Sequence, residues 1–220
     1  MTAPLRHARV VLFDIDGTLL DTERFILGAY HAALEALHLP VPTDEVLRRM
    51  TGDPLEQIYE RLAGSRVAEA VELHRAFQSE HIELARPFPS AREVLERLRE
   101  AGLRLAAVTS RSRRTSGPTL AAAGLDRFLE AQVAAEDAPA LKPDPAPLRR
   151  ALELLGLRGE EATAATVYVG DTRADIEAGR ALGVPTIAAT YGFHGEAVLE
   201  AGPDHHIGAL AELPALLGIA

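Results

Sequence analysis

From residue 103 onward the chain alternates short apolar runs with amphipathic stretches of helical period, and this rhythm limits the fold more than any other feature. Strands separated by helices pair in parallel, because a parallel partner needs a crossover of about a dozen residues while an antiparallel one needs only a tight turn. The runs at 103–108, 131–134, 166–169 and 184–188 are the expected strands, with helices at 118–123, 145–155, 174–182 and 209–217. One further apolar run, residues 9–14, stands far upstream and stops in the acidic turn Asp14-Ile15-Asp16-Gly17-Thr18. Between it and the next strand the period is helical. Phe25, Ile26, Ala29, Tyr30, Ala33, Leu34 and Leu37 share one face. Further helices are expected at 44–50 behind Thr43, at 54–62 with Asp53 as cap and Pro54 at the first helical position, and at 67–84. Ser90-Ala91-Arg92-Glu93 reads as a capping box that opens a helix ending near Gly102. The helical block is too long for a crossover connection. The expected fold is therefore α/β: a mostly parallel, doubly wound sheet of residues 1–18 and 85–220, with an all-helical domain of residues 19–84 inserted in it.

Composition narrows the chemistry. The 220 residues include no cysteine, which excludes disulfides, a thiol nucleophile and thiolate metal sites. Thirty-two acidic residues against 23 basic ones, a net charge of −9, argue against a grip on nucleic acid backbone. No apolar run approaches the roughly 20 residues of a membrane span, and no signal-peptide pattern opens the sequence, so a cytoplasmic protein with no membrane partner is expected. Every basic residue except Lys142 is an arginine.

Ligands of open α/β sheets bind at the carboxyl ends of the strands, where strand order reverses. Asp14 and Asp16 follow the first strand, Thr109 and Ser110 the second, and Asp171 and Asp175 the run ending at Val169. Lys142 lies in the proline-bounded loop Leu141-Lys142-Pro143-Asp144-Pro145, ahead of a helix. An all-oxygen acidic cluster favours Mg²⁺ over Zn²⁺, and Mg²⁺ completes its shell with water and substrate phosphate oxygens. Lys142, the Thr109 hydroxyl and nearby backbone amides then hold the other phosphate oxygens. This pattern points to phosphoryl transfer from a small phosphorylated metabolite.

These residues resemble the haloacid dehalogenase superfamily in its phosphatase branch. Asp14-Ile15-Asp16-Gly17-Thr18 matches the D-x-D-G-T signature, and the strand ending in Thr109, Lys142-Pro143-Asp144-Pro145 and Gly170-Asp171-Thr172-Arg173-Ala174-Asp175 follow in the expected order. The nearest likeness is to phosphoglycolate-phosphatase-like and β-phosphoglucomutase-like members, which implies a Rossmann-like core and makes the helical insert a small cap over the site. The resemblance further implies that Asp14 is the nucleophile, giving an aspartyl-phosphate, and that Asp16 is the acid and base for leaving group and water. It places Mg²⁺ on the side chains of Asp14 and Asp171 and the backbone carbonyl of Asp16, with Asp175 orienting ligands or pairing with Lys142. Lys142, with Thr109 and Ser110, neutralises the phosphoryl oxygens.

A phosphomonoesterase is the expected function, with a mutase as its rival. The mutase needs cap cations for a second phosphate, and Asp53-Pro54-Leu55 after Gly52 offers none. A dehalogenase has no use for Asp16, since a departing halide needs no proton. A receiver-type switch also gathers acids, a hydroxyl and a lysine around Mg²⁺, but lacks the helical insert; a non-catalytic phosphate-binding protein is the remaining alternative. Arg111, Arg113 and Arg114 either extend an anionic pocket or form a solvated basic turn, the latter being favoured. His194, His205 and His206 are expected at the surface. Glu23 and the turn Thr51-Gly52-Asp53 are candidates for contacting the leaving group, and hinges are expected near 19–22 and 84–87. A monomer is expected.

Overall fold

The computed structural model describes residues 5–219. In chain order, β1 (Val10–Phe13) is followed by the two-residue strand β2 (Leu20–Asp21) and by helices α1 (Glu23–Ala36), α2 (Asp44–Met50), α3 (Leu55–Ala63) and α4 (Val67–Glu80). The chain returns through β3 (Arg86–Pro87) and α5 (Ala91–Glu100) to β4 (Arg104–Val108), α6 (Arg113–Ala123) and β5 (Ala131–Val133). It then passes through α7 (Ala146–Leu154), α8 (Gly159–Ala164), β6 (Thr166–Gly170), α9 (Arg173–Leu182), β7 (Thr186–Ala189), β8 (His205–Ile207) and α10 (Leu213–Leu216). No helix among the described residues is long and apolar enough to cross a membrane.

Six strands form one parallel sheet in the order β5-β4-β1-β6-β7-β8. β1 is buried along its whole length, as a strand covered on both faces must be. Val11 and Phe13 point into a cluster with α5, α6 and the helical block, whereas Val10 and Leu12 meet Leu148 and Ala151 of α7 and Ala178 of α9. After β1 the chain moves outward to β4 and β5, then crosses back to β6 on the other side of β1. Strand order thus reverses between β1 and β6, which opens a crevice beyond their carboxyl ends.

In the helical block, α4 packs on both α1 and α3. Gly28 permits the close approach: a Cβ there would lie 2.9 Å from the Phe77 ring. Its helix penalty of about 1 kcal/mol relative to Ala is offset by this contact. Both passages between block and sheet run side by side, because β2 and β3 pair antiparallel through Leu20 with Pro87 and Asp21 with Arg86.

Several local expectations are corrected. Pro54, not Asp53, caps α3, and Asp53 reaches Arg61 at 3.3 Å. The helix expected over 67–84 ends at Glu80 and gives way to a 3₁₀ turn at Ile82–Leu84. Ser90 adopts a left-handed conformation (φ 63°) with no side-chain cap bond, so the expected capping box is absent. α6 begins at Arg113, five residues before Pro118. The last expected helix is split into a 3₁₀ turn at Leu210–Glu212 and the short α10.

Candidate active site

The crevice between β1 and β6 holds four ionic side chains almost without solvent. Asp14 leaves the end of β1, and its amide donates to Val169 O at 2.8 Å. Asp171 and Asp175 follow β6, and both are fully buried. Lys142 comes in from the loop between β5 and α7, 5% exposed. Its ammonium donates to Asp175 Oδ1 at 2.6 Å, Asp14 Oδ1 at 2.7 Å, Tyr168 Oη at 3.1 Å and Val108 O at 3.3 Å. Burial alone works against its charge, but the two aspartates outweigh that and hold Lys142 protonated.

Asp175 is saturated. Oδ1 accepts from Lys142 and from the Tyr168 hydroxyl at 2.8 Å, while Oδ2 accepts from the Thr172 amide at 3.0 Å and hydroxyl at 2.7 Å. The Thr172 amide bond and the Asp175 amide, which donates back to Thr172 Oγ1 at 3.2 Å, form the capping box that starts α9, so a helix-start acid and a partner of Lys142 are here the same residue. Burial pushes its carboxyl up, and Lys142 with these hydrogen bonds more than reverses the shift.

Asp14 and Asp171 are compensated only in part. Burial, and then the charge of Asp175 against that of Lys142, raise Asp14 to about 7. Asp171 is raised well above the carboxylate range by burial, Asp14 and Asp175. Its oxygens accept from the Thr18 hydroxyl at 3.3 Å and the Phe193 amide at 2.9 Å. Oxygens of Asp14, Asp171 and Asp175 lie within 4.8 Å of one another. Three buried carboxylates against one ammonium leave a deficit of positive charge that a hard divalent cation fits. Backbone is packed tightly around Asp171: a Cβ on Gly17 (φ 76°) would fall 2.1 Å from its Oδ2, and one on Gly192 2.4 Å from its Cβ.

Asp16 sits apart from this cluster, facing the helical block. Its Oδ1 accepts from Thr22 Oγ1 at 2.9 Å, and its Oδ2 accepts from Thr109 Oγ1 at 3.3 Å and lies 3.2 Å from Arg111 Nε. Thr109 directly follows β4 and is 3% exposed, with the Arg111 amide donating to its hydroxyl at 3.0 Å. Ser110 Oγ is buried without a partner. A cavity of about 330 Å³ opens above these groups, with Asp14, Asp16, Thr109, Ser110, Arg111 and Lys142 toward the sheet and Tyr30, His74, Gln78 and the turn Thr51–Asp53 toward the helices.

The expected site residues therefore converge, with Asp171 set into the floor. Arg111, expected as part of a solvated turn, is instead buried beside Asp16, whereas Arg113 pairs with Asp137 and Arg114 with Glu72. His194 is not a bare surface residue: its Nε2 donates to Thr51 O at 3.0 Å, tying the loop after β7 to the helical block. Glu23 turns away from the cavity to accept from Arg48 at 2.6 Å. Sequence reasoning missed Tyr168 and Thr22. The signal for Tyr168 was a hydroxyl in the middle of a buried strand, which must find polar partners.

Comparison with known proteins agrees with this geometry. The model of the haloacid dehalogenase-like hydrolase family matches residues 11–189. The pyrophosphatase PpaX of Halalkalibacterium halodurans is 33% identical over 211 residues, covering 95% of this chain and 96% of that protein. A haloacid dehalogenase-like family hydrolase from Streptococcus pneumoniae superimposes with a TM-score of 0.83 at 26% identity, over 95% of this chain and 98% of that one. A Haemophilus somnus structure described as a predicted phosphoglycolate phosphatase has the same fold, with a TM-score of 0.84 at 22% identity over 96% and 98% of the two chains. A match that runs from β1 through β7 takes in every element carrying the buried cluster, and the chain belongs to the haloacid dehalogenase-like hydrolases.

Proposed function

We propose that this hydrolase is a Mg²⁺-dependent phosphatase that cleaves a small phosphoryl compound through an aspartyl-phosphate on Asp14. The observation that carries the proposal is the division of labour between two aspartates two residues apart. Asp14 is buried among Lys142, Asp171 and Asp175, while Asp16 turns to the cavity on the side where a leaving group would lie. Environment separates a nucleophile from an acid of the same residue type.

Asp14 attacks phosphorus in line; the bond to the leaving oxygen breaks with its electron pair, and Asp16 gives that oxygen its proton. Asp16 then takes a proton from water as the water attacks phosphorus, and the bond to Asp14 breaks to release phosphate. Lys142, fixed by Asp175 and Tyr168, neutralises oxygens that gain charge, and the Thr109 and Ser110 hydroxyls hold them. The Asp14 and Asp171 side chains and the Asp16 carbonyl would hold Mg²⁺, which would supply further charge neutralisation when bound. Asp175 has no oxygen left for the ion, and its role is to hold Lys142 and the start of α9. In this proposal residues 19–84 are a cap that closes over the cavity and excludes water, hinged at the paired β2 and β3.

The test is phosphate release from a panel of small phosphoryl compounds, including inorganic diphosphate because PpaX is named a pyrophosphatase. Release should require Mg²⁺, stop with chelator, and fall by at least about 10³-fold in Asp14→Asn. Release that persists in Asp14→Asn rejects the aspartyl mechanism.

A further inference from the structure

Arg111 is a buried cation that the phosphoryl-transfer scheme leaves without a task. Its side chain is 9% exposed. Nη2 donates to Thr119 Oγ1 at 2.8 Å, and the Phe25 ring lies 5.0 Å from the guanidinium carbon. Nε is 3.2 Å from Asp16 Oδ2 but is not aligned as a hydrogen bond, and Nε and Nη1 are both buried without an acceptor. Buried guanidinium N–H groups are rarely left unpaired in a native structure unless something else binds there. Burial pulls the guanidinium down from its usual range, opposed by Asp16 and Asp14.

The other cations around the cavity are engaged. Lys142 is held by Asp14 and Asp175, Arg75 donates from Nη2 to Glu56 at 2.9 Å and keeps one buried donor, Nε, without an acceptor, and Arg61 reaches Asp53. His74 is held neutral, its ring pushed down to about 3 by burial and by Arg75 and Arg111. Among these groups Arg111 alone combines two unpaired donors with a position next to Asp16.

We infer that Arg111 selects the leaving group, receiving a second anionic group carried close to the leaving oxygen. The inference rests on the phosphatase proposal, in which Asp16 protonates that oxygen. A leaving oxygen within hydrogen-bond reach of Asp16 places its substituent against the guanidinium, because Arg111 Nε lies 3.2 Å from the same carboxylate. The substrate class is a compact phosphoryl compound whose leaving group is itself negatively charged through a phosphate or a carboxylate. A neutral alcohol would leave both donors unpaired.

The experiment compares kcat/KM for inorganic diphosphate, 2-phosphoglycolate and ethyl phosphate, with Mg²⁺, in the wild-type chain, Arg111→Ala and Arg111→Lys. The wild type should favour one of the two anionic leaving groups over ethyl phosphate by at least about tenfold, the range of a charge-assisted hydrogen bond. The better of the two identifies the second anion as phosphate or carboxylate. That preference should shrink about tenfold or more in Arg111→Ala and in part in Arg111→Lys. A wild-type preference near one overturns the inference without any variant, which covers the case in which Arg111→Ala fails to fold. Equal losses on all three substrates in Arg111→Ala also overturn it, marking Arg111 as a support for Asp16. No turnover of any of the three by the wild type overturns the phosphatase proposal, and the subsite with it.

Discussion

His74 shows how one residue ties the helical block to solution conditions. It lies 3% exposed between α1 and α3, with its Nδ1 3.0 Å from the Tyr59 hydroxyl and its ring 4.7 Å from that of Tyr30. The charged groups acting on it are Arg75 on its own helix and Arg111 from the sheet side. Because its folded pKa is depressed to about 3, the unfolded chain takes up a proton below pH 6.5 that the folded chain refuses. Stability attributable to His74 is therefore intact above pH 6.5 and declines as pH falls toward 3, by up to about 1.4 kcal/mol per unit. Urea midpoints of His74→Asn, which retains an acceptor for Tyr59, should fall less steeply than wild type between pH 7 and 4.5; parallel slopes reject the assignment. At this scale the acids and Lys142 were legible in the sequence because each stands at a strand end or in a proline-bounded loop, where such residues are out of place in a core. Arg111 was not legible, since nothing in Thr109-Ser110-Arg111-Ser112 tells a solvated arginine from one folded back under Phe25.

Elements were readable in proportion to the strength of their period. β1, β4 and β6 were plain because both faces are buried, whereas β8, with His205 and His206 in its three residues, looked like loop. β8 pairs only with β7, at the edge of the sheet, where a polar strand is tolerated. The pair β2 and β3 is two residues long on each side and has no local pattern to find. α6 misled for another reason. Pro118 reads as a first-turn residue, yet it lies in the sixth position of Arg113–Ala123, where it has no amide to offer the Arg114 carbonyl. Its side chain is exposed, so Pro118→Ala restores a backbone bond without disturbing the core. The variant should gain about 1–3 kcal/mol in urea denaturation. A loss would mean that the proline's stiffening of the unfolded chain outweighs the missing bond.

For the molecule as a whole, the proposed Mg²⁺ site on the buried carboxylates of Asp14 and Asp171 would make stability depend on a divalent cation. Binding at about a hundredfold above its Kd contributes about 2.7 kcal/mol, which for a chain of this size is a rise in Tm of about 5–10 °C. Calorimetry with and without Mg²⁺ should show that rise in the wild type and little of it in Asp171→Ala; equal rises would place the ion elsewhere. The overall plan was legible because an interrupted strand–helix alternation has few topological solutions. How the helices sit over the sheet was not, since it depends on distant pairs such as His194 with Thr51 and Arg114 with Glu72. The position of β1 has a consequence for the order of assembly. β1 lies between β4 and β6, whose pairing with it begins at Arg104 and Thr166, so β1 lacks its second neighbour until more than 150 residues further along the chain have been made. A nascent chain stopped short of β6 presents a wholly apolar strand with one open edge, and such fragments should aggregate or recruit chaperones until Gly170 has emerged.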